Sequence, residues 1–271
     1  MDRRPARHEI TTRRIVYEAE GMRDVAVRRG LAYRDTPDGA LTMDVYYPTK
    51  GAEAPPATVV FVNGYSDAGV RAMLGCALKE MASFVSWAQL IASSGLAAVV
   101  YETGRDPAVD AQSIIAYLQA HAGPLGVDVR RLGLWACSGH GPNALSVLMH
   151  EASRNIVSCA VFCYCFMFDV DGRGLVAAAS QKFGFANPVS GTVDDLPRGT
   201  PLFVARAGLD DLAGLNETID RFVARGLQLN LPLTVVNHPT GPHAFDILHD
   251  SDGSRQVIQH IVKFLQLRLG S

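Results

Sequence analysis

The chain has 271 residues, of which 48% are apolar and 19% are charged, and this apolar share is enough to bury a sizeable core. The formal net charge of −2 gives no reason to expect a nucleic-acid partner, which normally calls for a clustered basic face. No uninterrupted apolar stretch approaches the roughly 20 residues that cross a membrane. Nucleic acid and membrane are therefore excluded as expected partners, and the pattern below indicates one domain over residues 1–271.

The first 24 residues form an N-terminal extension that carries the basic cluster of the sequence: Arg3, Arg4, Arg7, Arg13 and Arg14. A nucleic-acid-binding arm and a targeting signal are alternatives. Because the cluster is short and mixed with Asp2 and Glu9, we interpret it as a solvated tail. No apolar segment follows the arginines, so the sequence predicts no secretory signal.

Residues 25–47 have the pattern of an antiparallel pair of strands. Apolar and polar residues alternate in Val25–Val27 and again in Leu41–Tyr47. Between them, the segment Asp35–Gly39 is a strong turn signal. We expect this pair to lie at one edge of a sheet.

After residue 56 the pattern changes to short, continuous apolar runs, which are typical of parallel strands covered on both faces. The runs are Thr58–Val62, Leu96–Tyr101, Leu132–Ala136, Ile156–Cys163, Pro201–Ala205 and Leu233–Val236. Helical signals lie between and after them: Met81–Ser93, a segment opened by Asp106-Pro107, a segment capped by Asn216 and ended by Gly226, and Val257–Leu269. This alternation predicts a doubly wound α/β sheet.

Residues 169–200 lack clear periodicity and are rich in glycine and small residues. The segment is long for a plain connection between two strands. We interpret it as a small lid over a site at the edge of the sheet. A surface loop with one helix, Leu175–Phe183, fits the pattern equally well.

Five cysteines occur, and no pair has the spacing of a zinc finger: Cys76, Cys137, Cys159, Cys163 and Cys165. By the alternation rule, Cys163 and Cys165 face the same way as Cys159, which leaves a soft-metal cluster as an alternative. Small core residues of a buried strand are the simpler interpretation. Such thiols fit a reducing compartment, so the sequence points to a cytoplasmic protein.

The first candidate for chemistry is Ser138. An apolar strand leads into this serine between small residues, and a helix begins immediately. A sharp turn of this kind is a nucleophile elbow, which presents the serine oxygen at the carboxyl edge of the sheet. Ala136 and His140 stand where the G-x-S-x-G motif has glycine, and His140 is the more serious departure. Cys137 is the alternative nucleophile, but it would place Trp135 at a crowded position.

A base and an acid lie in two further loops at the same predicted edge. His243 follows the last apolar strand and is better placed than three neighbouring histidines: His238, His249 and His260. Asp210 and Asp211 directly follow the preceding strand, and a carboxylate there can accept the imidazole N–H. The chain order of serine, aspartate and histidine differs from that of other serine protease classes.

The loop Asn63-Gly64-Tyr65 follows the first parallel run. A main-chain N–H of Tyr65 or Gly64 can pair with that of Gly139 to hold an oxyanion. Losing one such donor typically costs roughly 3 kcal/mol of transition-state stabilisation. A simple glycine turn is the alternative.

These motifs resemble those of the α/β-hydrolases, in particular bacterial esterases and dienelactone-hydrolase-like members. The similarity runs from about Leu41 to Leu269 and includes Leu41–Pro48, the Asn63-Gly64 loop, Val127–Trp135, Ala207–Asp210 and Gly241–Phe245. It implies the α/β-hydrolase fold, with a mostly parallel central sheet, an antiparallel N-terminal edge and helices on both faces. It also implies that Asp210 rather than Asp211 is the acid. The family's oxyanion loop usually begins with His-Gly, whereas this chain has Asn63.

The resemblance implies a serine hydrolase that cleaves a carboxylic ester or lactone through an acyl-enzyme on Ser138, with His243 as its base. A non-hydrolytic acyl transferase or cyclase with the same residues is the nearest alternative. An inactive small-molecule-binding protein is another, and His140 is the feature that supports it. No metal or organic cofactor is required. The expected partner is a small-molecule acyl substrate, and a homo-oligomer is compatible with the sequence.

Aromatic and apolar residues ahead of the 169–200 segment suggest an apolar acyl or aromatic pocket: Phe162, Tyr164, Phe166, Met167 and Phe168. Such residues are more often core. From this run and the two glycine-containing loops, we place Asn63, His140 and Phe166 at the predicted substrate pocket.

Overall fold

The computed structural model describes residues 7–49 and 54–270, which contain an eight-stranded sheet in the order β1-β2-β4-β3-β5-β6-β7-β8. The strands are β1 (Ala26–Thr36), β2 (Gly39–Tyr47), β3 (Ala57–Phe61), β4 (Ala97–Tyr101), β5 (Asp128–Cys137), β6 (Val157–Cys163), β7 (Leu202–Ala207) and β8 (Leu233–His238). β2 pairs antiparallel with both β1 and β4, and the remaining neighbours pair in parallel. The predicted mostly parallel sheet with an antiparallel N-terminal edge is confirmed.

Helices connect the parallel strands and cover the sheet. They are α1 (Asp67–Leu74), α2 (Ala82–Ser93), α3 (Pro107–Leu125), α4 (Gly141–Met149), α5 (Leu175–Phe183), α6 (Leu215–Gln228), α7 (Phe245–Leu248) and α8 (Asp252–Leu269). Within the described ranges, no helix combines the length and the apolar character that a membrane crossing takes.

Both faces of the central strands are buried, as their unalternating apolar sequences predict. On β5, the Trp135 ring packs on Trp87 of α2 with ring centroids 5.2 Å apart. Two residues earlier on the same face, Gly133 lies against Leu265 of α8. The helices α2 and α8 therefore share one face, while α3 and α4 pack together on β5 from the other.

The chain reverses its direction across the sheet at β3. It passes from β3 to β4 on one side and then returns to place β5 on the other side of β3. In open α/β sheets, the crevice outside the carboxyl ends of the strands at such a switch point is where ligands bind. The loops that follow β3 and β5 begin with Val62 and Ser138, so the two predicted site segments meet at this crevice.

Two predicted details of the elements are corrected. Asn216 does not cap α6, because the helix begins at Leu215 and its N-cap is Gly214 in a left-handed conformation. Gly226 lies inside α6 and does not end it. In residues 169–200, the helix α5 occupies Leu175–Phe183, and short 3-10 turns lie on either side of it.

The N-terminal extension packs against the rest of the domain from residue 8 onward, where the His8 N–H donates to the Leu74 carbonyl at 3.0 Å. The Ile15 N–H donates to Ser86 Oγ at 3.1 Å, and the Val16 N–H donates to the Asp246 carbonyl at 2.8 Å. A solvated tail is therefore the wrong description of residues 10–16. Arg3 and Arg4 lie outside the described residues.

Candidate active site

Ser138 occupies a strained turn between β5 and α4. Its φ is +51°, in the left-handed region that costs a residue with a Cβ roughly 1–2 kcal/mol. A 3-10 turn over Ser138–His140 leads directly into α4. The Ser138 carbonyl accepts a hydrogen bond from the Phe166 N–H at 3.1 Å, which ties the turn to the chain after β6. A sharp turn of this kind exposes the serine hydroxyl at the carboxyl edge of the sheet.

A chain of hydrogen bonds joins the three residues that the sequence singled out. Ser138 Oγ lies 3.0 Å from His243 Nε2, and His243 Nδ1 lies 2.7 Å from Asp210 Oδ2. The Asp210 side chain is fully buried, whereas a quarter of the His243 side chain is exposed. The three residues follow β5, β7 and β8, so their convergence results from the shared carboxyl edge of parallel strands.

The structure shows which of the adjacent carboxylates, Asp210 or Asp211, contacts His243. The second oxygen of Asp210, Oδ1, accepts the Leu212 N–H at 3.1 Å, so both of its oxygens have partners. Asp211 is exposed, and no hydrogen bond joins its side chain to any described residue. Asp210 is therefore the residue positioned to orient His243.

The acid loop and the histidine loop hold each other in place. The Gly208 N–H donates to the His238 carbonyl at 2.8 Å, and the Leu209 N–H donates to the Gly241 carbonyl at 2.9 Å. His238 itself is buried, with Nε2 3.0 Å from Ser254 Oγ, and is a satisfied core residue. These bonds fix the distance between Asp210 and His243.

A second buried carboxylate supports the histidine loop, and no sequence pattern marks it. Asp246 is 2% exposed and accepts from Trp87 Nε1 at 2.7 Å and from the Tyr164 hydroxyl at 2.5 Å. Burial raises the pKa of Asp246, although the two hydrogen bonds oppose this shift. The Tyr164 ring packs edge-on against His243, with centroids 5.0 Å apart. Asp246 thus positions the Tyr164 ring, which contacts His243.

Two main-chain donors in the candidate oxyanion segments have no partner among the described residues. The N–H groups of Tyr65 and Gly139 make no backbone hydrogen bond within the described residues, and they belong to the loop after β3 and to the elbow. The Tyr65 carbonyl accepts from Thr103 Oγ1 at 2.5 Å, and the Thr103 N–H donates to Asp67 Oδ2 at 2.7 Å. These contacts anchor the loop that carries the first donor.

The prediction that the Gly64 N–H can hold the oxyanion needs correction. Its N–H donates to His140 Nδ1 at 2.7 Å and is already used. Of the three predicted donors, Tyr65 and Gly139 remain, and their pairing is the arrangement that an oxyanion needs.

His140 occupies a buried site beneath the elbow. It is 4% exposed and lies between the rings of Tyr65 and Phe84, with centroid distances of 5.1 and 5.8 Å. Burial lowers the pKa of His140 to about 3, so the ring is neutral at ordinary pH. Because Nδ1 accepts the Gly64 N–H, the ring proton lies on Nε2. The imidazole therefore fits at the glycine position of the motif without displacing Ser138.

Solved structures with the same architecture include carboxyl esterase 2 from the mycorrhizal fungus Tuber melanosporum (TM-score 0.70, 16% identity, 97% of this chain and 92% of that one). An alpha/beta hydrolase enzyme from the metagenome of Lake Arreo, Spain, has a TM-score of 0.68 at 15% identity over 91% and 83% of the two chains. Esterase LipW from Mycobacterium marinum has a TM-score of 0.66 at 15% identity over 94% and 92%. The chain has the α/β-hydrolase fold. No family model and no curated protein matches its sequence.

In hydrolases with the α/β-hydrolase fold, the nucleophile, the acid and the histidine follow one another along the chain. Ser138, Asp210 and His243 have this order, and each follows a different parallel strand. The arrangement can transfer a proton from a hydroxyl to an imidazole while a buried carboxylate holds the ring.

The predicted substrate-pocket residues lie behind the elbow of this α/β-hydrolase fold. Asn63, His140 and Phe166 are 1%, 4% and 1% exposed, so they present almost no surface to a ligand. Asn63 Nδ2 donates to the Tyr101 carbonyl at 2.6 Å. The aromatic run from Phe162 to Phe168 is likewise buried, which is the core alternative that the sequence left open.

The 169–200 segment returns to the elbow after α5. The Ala186 N–H donates to the Gly64 carbonyl at 2.7 Å, and Phe185 is 3% exposed. The Phe185 ring packs on Phe166 at 5.4 Å and edge-on to Tyr65 at 6.0 Å. Residues 185–186 therefore pack against the loop after β3, and the lid over the site stays a prediction.

Proposed function

We propose that this protein hydrolyses carboxylic esters through an acyl-enzyme on Ser138. The observation that carries the proposal is the hydrogen bond of 3.0 Å between Ser138 Oγ and His243 Nε2, with Asp210 on the other ring nitrogen. A hydroxyl in this contact can lose its proton to the imidazole as it attacks a carbonyl carbon.

The tautomer of His243 follows from its partners. Buried Asp210 accepts at Nδ1, so the ring proton lies there and Nε2 is free to take the Ser138 proton. As the proton moves to Nε2, the Ser138 oxygen bonds to the carbonyl carbon and the carbonyl oxygen becomes an oxyanion. Asp210 stabilises the imidazolium that forms.

The second half of the reaction returns the enzyme to its first state. The imidazolium of His243 gives its proton to the leaving alkoxide as the ester bond breaks, which leaves the acyl group on Ser138. A water molecule then loses a proton to His243 and attacks the acyl carbon. The Ser138 oxygen leaves with that proton, and the carboxylic acid is released.

The comparisons support a hydrolase that acts on esters. Structural neighbours with this fold carry the names carboxyl esterase and esterase, although their sequence identity to this chain is 14–16%. His140 was the feature that favoured an inactive binding protein. Because its ring is buried beneath the elbow and does not displace Ser138, this objection to catalysis falls away.

The test is hydrolysis of p-nitrophenyl acetate and butyrate by the parent protein, by Ser138→Ala and by Ser146→Ala. Ser146 lies on α4 and donates to the Asn143 carbonyl, so it serves as a matched serine outside the proposed site. We expect turnover by the parent and by Ser146→Ala, and a loss of about 10⁴-fold or more in Ser138→Ala. An early burst of p-nitrophenol equal to the protein concentration is expected where deacylation is slow.

Equal rates for the parent and Ser138→Ala would contradict the proposal. Turnover that appears only after an alcohol or amine is added, with the acyl group recovered on that acceptor, would assign the same residues to acyl transfer. Identification of the free carboxylic acid as the product in water supports hydrolysis.

A further inference from the structure

The carbonyl of Gly64 fixes the direction of the N–H group beside it. Gly64 and Tyr65 share one peptide group, and the described residues contain no cis peptide bond. In a planar trans peptide, the C=O and the N–H point in opposite directions. The Ala186 N–H donates to the Gly64 carbonyl at 2.7 Å, so the Tyr65 N–H points away from residue 186. This N–H is one of the two candidate oxyanion donors.

The Ala186 N–H is oriented by the same rule. It shares a peptide group with the Phe185 carbonyl, which accepts a hydrogen bond from Ser180 Oγ at 2.6 Å. Ser180 lies in the last turn of α5, and its own carbonyl accepts the Gly184 N–H at 2.8 Å where the helix ends. The Ser180 hydroxyl therefore holds the Phe185–Ala186 peptide from the side opposite to Gly64.

These contacts form a relay of two hydrogen bonds through two peptide groups. The Ser180 hydroxyl donates to the Phe185–Ala186 peptide, and the Ala186 N–H donates to the Gly64–Tyr65 peptide. The last N–H of the relay, on Tyr65, has no partner among the described residues. Hydrogen bonds in such chains polarise one another, so a carbonyl that accepts a bond makes the N–H of its peptide a stronger donor. The relay thus orients and strengthens the Tyr65 donor.

The second candidate donor is held by the same part of the chain. The Gly139 N–H shares its peptide group with the Ser138 carbonyl, which accepts the Phe166 N–H at 3.1 Å. The Phe166 ring stacks on the Phe185 ring with centroids 5.4 Å apart. Gly64 lies against Gly139, because an ideal Cβ at position 64 would be 2.6 Å from the Gly139 carbonyl oxygen. The chain after β6 therefore supports the peptide groups of both candidate donors.

We propose that Ser180 is a positioning residue for ester hydrolysis, whose hydroxyl sets the direction and the strength of the Tyr65 N–H through the relay. The inference rests on the proposed function and adds to it a residue of α5 that acts through two peptide groups. Donors that are fixed before the reaction stabilise developing charge without a cost of reorientation at that moment. No proton is transferred along the relay, and its bonds stay in place as the carbonyl oxygen gains charge.

The variant Ser180→Ala removes the first bond of the relay and leaves every main-chain group in place. We expect kcat on p-nitrophenyl acetate to fall about tenfold with KM nearly unchanged, which is a part of the factor of roughly 10² to 10³ that a whole oxyanion donor supplies. The affinity for a trifluoromethyl ketone, whose adduct with serine resembles the oxyanion, should fall by a similar factor. The affinity for the matching unfluorinated ketone, which binds mostly without forming an adduct, should not change.

Two further variants separate this role from a structural one. Ser180→Thr keeps a hydroxyl and should restore kcat to within about twofold of the parent. Ser93→Ala is the matched control, because the Ser93 hydroxyl donates to the Leu90 carbonyl at 2.9 Å at the end of α2, which leads to the amino end of β4. That control should leave kcat and the affinities for both ketones unchanged.

A double-mutant cycle tests the route of the effect. Ala186→Pro removes the N–H that makes the second bond of the relay, and it should lower kcat by more than Ser180→Ala does. If Ser180 acts through this N–H, adding Ser180→Ala to Ala186→Pro should cause no further loss of kcat. Losses that multiply would mean that Ser180 acts by another route, and they would overturn the inference.

The remaining outcomes are distinguishable. A Ser180→Ala variant that keeps kcat within about twofold, or that loses affinity equally for both ketones, overturns the positioning role while ester hydrolysis stands. A loss of kcat that Ser180→Thr does not restore overturns it as well. A parent protein that neither turns over the ester nor binds the trifluoromethyl ketone contradicts the proposed function itself.

Discussion

The N–H of Gly64 donates to Nδ1 of His140 across a distance of 2.7 Å. This bond joins the loop after β3 to the elbow after β5, which are the two segments that carry the candidate oxyanion donors. The residue that departs most from the G-x-S-x-G motif is therefore the one that connects both halves of the site. It acts as a neutral acceptor, because burial lowers its pKa to about 3.

The stability of the protein should depend on the protonation of His140. The folded-state pKa of His140 is about 3 and the unfolded value is 6.5, so the unfolded chain binds more protons between these values. The stability that this histidine contributes is complete above pH 6.5 and is lost as the pH falls toward 3. We expect a loss of about 2 kcal/mol between pH 7.5 and pH 5, measured by urea unfolding.

The comparison with His140→Asn isolates this effect from other titrating groups. Asparagine does not titrate, so the difference in unfolding free energy between the parent and this variant should shrink as the pH falls. His260→Asn, at an exposed position on α8, is the matched control for replacing a histidine by asparagine outside the site. A constant difference for His140→Asn would show that His140 is not held neutral.

Gly64→Ala should disrupt the site. A Cβ at position 64 would lie 2.6 Å from the Gly139 carbonyl oxygen and 3.0 Å from the His140 Cα, and these backbone atoms cannot move aside cheaply. We expect a loss of esterase activity of at least tenfold, and a lower melting temperature. Gly69→Ala, in α1 with open space around its Cβ position, should keep activity and gain about 0.5–1 kcal/mol of stability.

The strain at Ser138 predicts an unusual order of stabilities. With φ at +51°, Ser138→Gly should be more stable than Ser138→Ala by about 1 kcal/mol, although neither has a nucleophile. At Ser113, inside α3, the order should reverse, since alanine favours a helix over glycine by about 1 kcal/mol. Urea unfolding of the four variants tests this, and the same order at both sites would mean that Ser138 is unstrained.

The two neighbouring carboxylates should differ sharply in their effect on catalysis. Asp210→Asn removes the acceptor for the His243 Nδ1–H and allows the wrong tautomer, so kcat should fall by a factor on the order of 10⁴. Asp211→Asn changes the exposed neighbour and should keep kcat within about threefold. Equal effects of the two substitutions on ester turnover would refute the assignment of Asp210.

Much of the architecture was predictable because burial on both faces leaves a direct mark on the sequence. All six apolar runs became parallel strands, with boundaries that moved by a few residues. The start of α6 was not predictable, because Asn216 has the sequence of a helix cap while the chain turns at Gly214 in a left-handed conformation. The identity of a cap depends on the path of the preceding loop.

The positions of Ser138, Asp210 and His243 were predictable because each follows a strand whose end is visible in the sequence. The partners of buried polar groups were not. Asp246 is far from Trp87 and close to His243 in the sequence, and no local pattern marks it as an acceptor for a buried indole. The bond from Gly64 to His140 also requires knowing how closely two loops approach.

The most direct measurement of the central claim is the mass of the intact protein after treatment with a fluorophosphonate at pH 7.5, followed by mapping of the modified peptide. The account predicts one adduct on Ser138, none in Ser138→Ala, and a much slower reaction in His243→Ala. A folded parent protein that gains no adduct, or that is modified elsewhere with Ser138 untouched, would contradict the account.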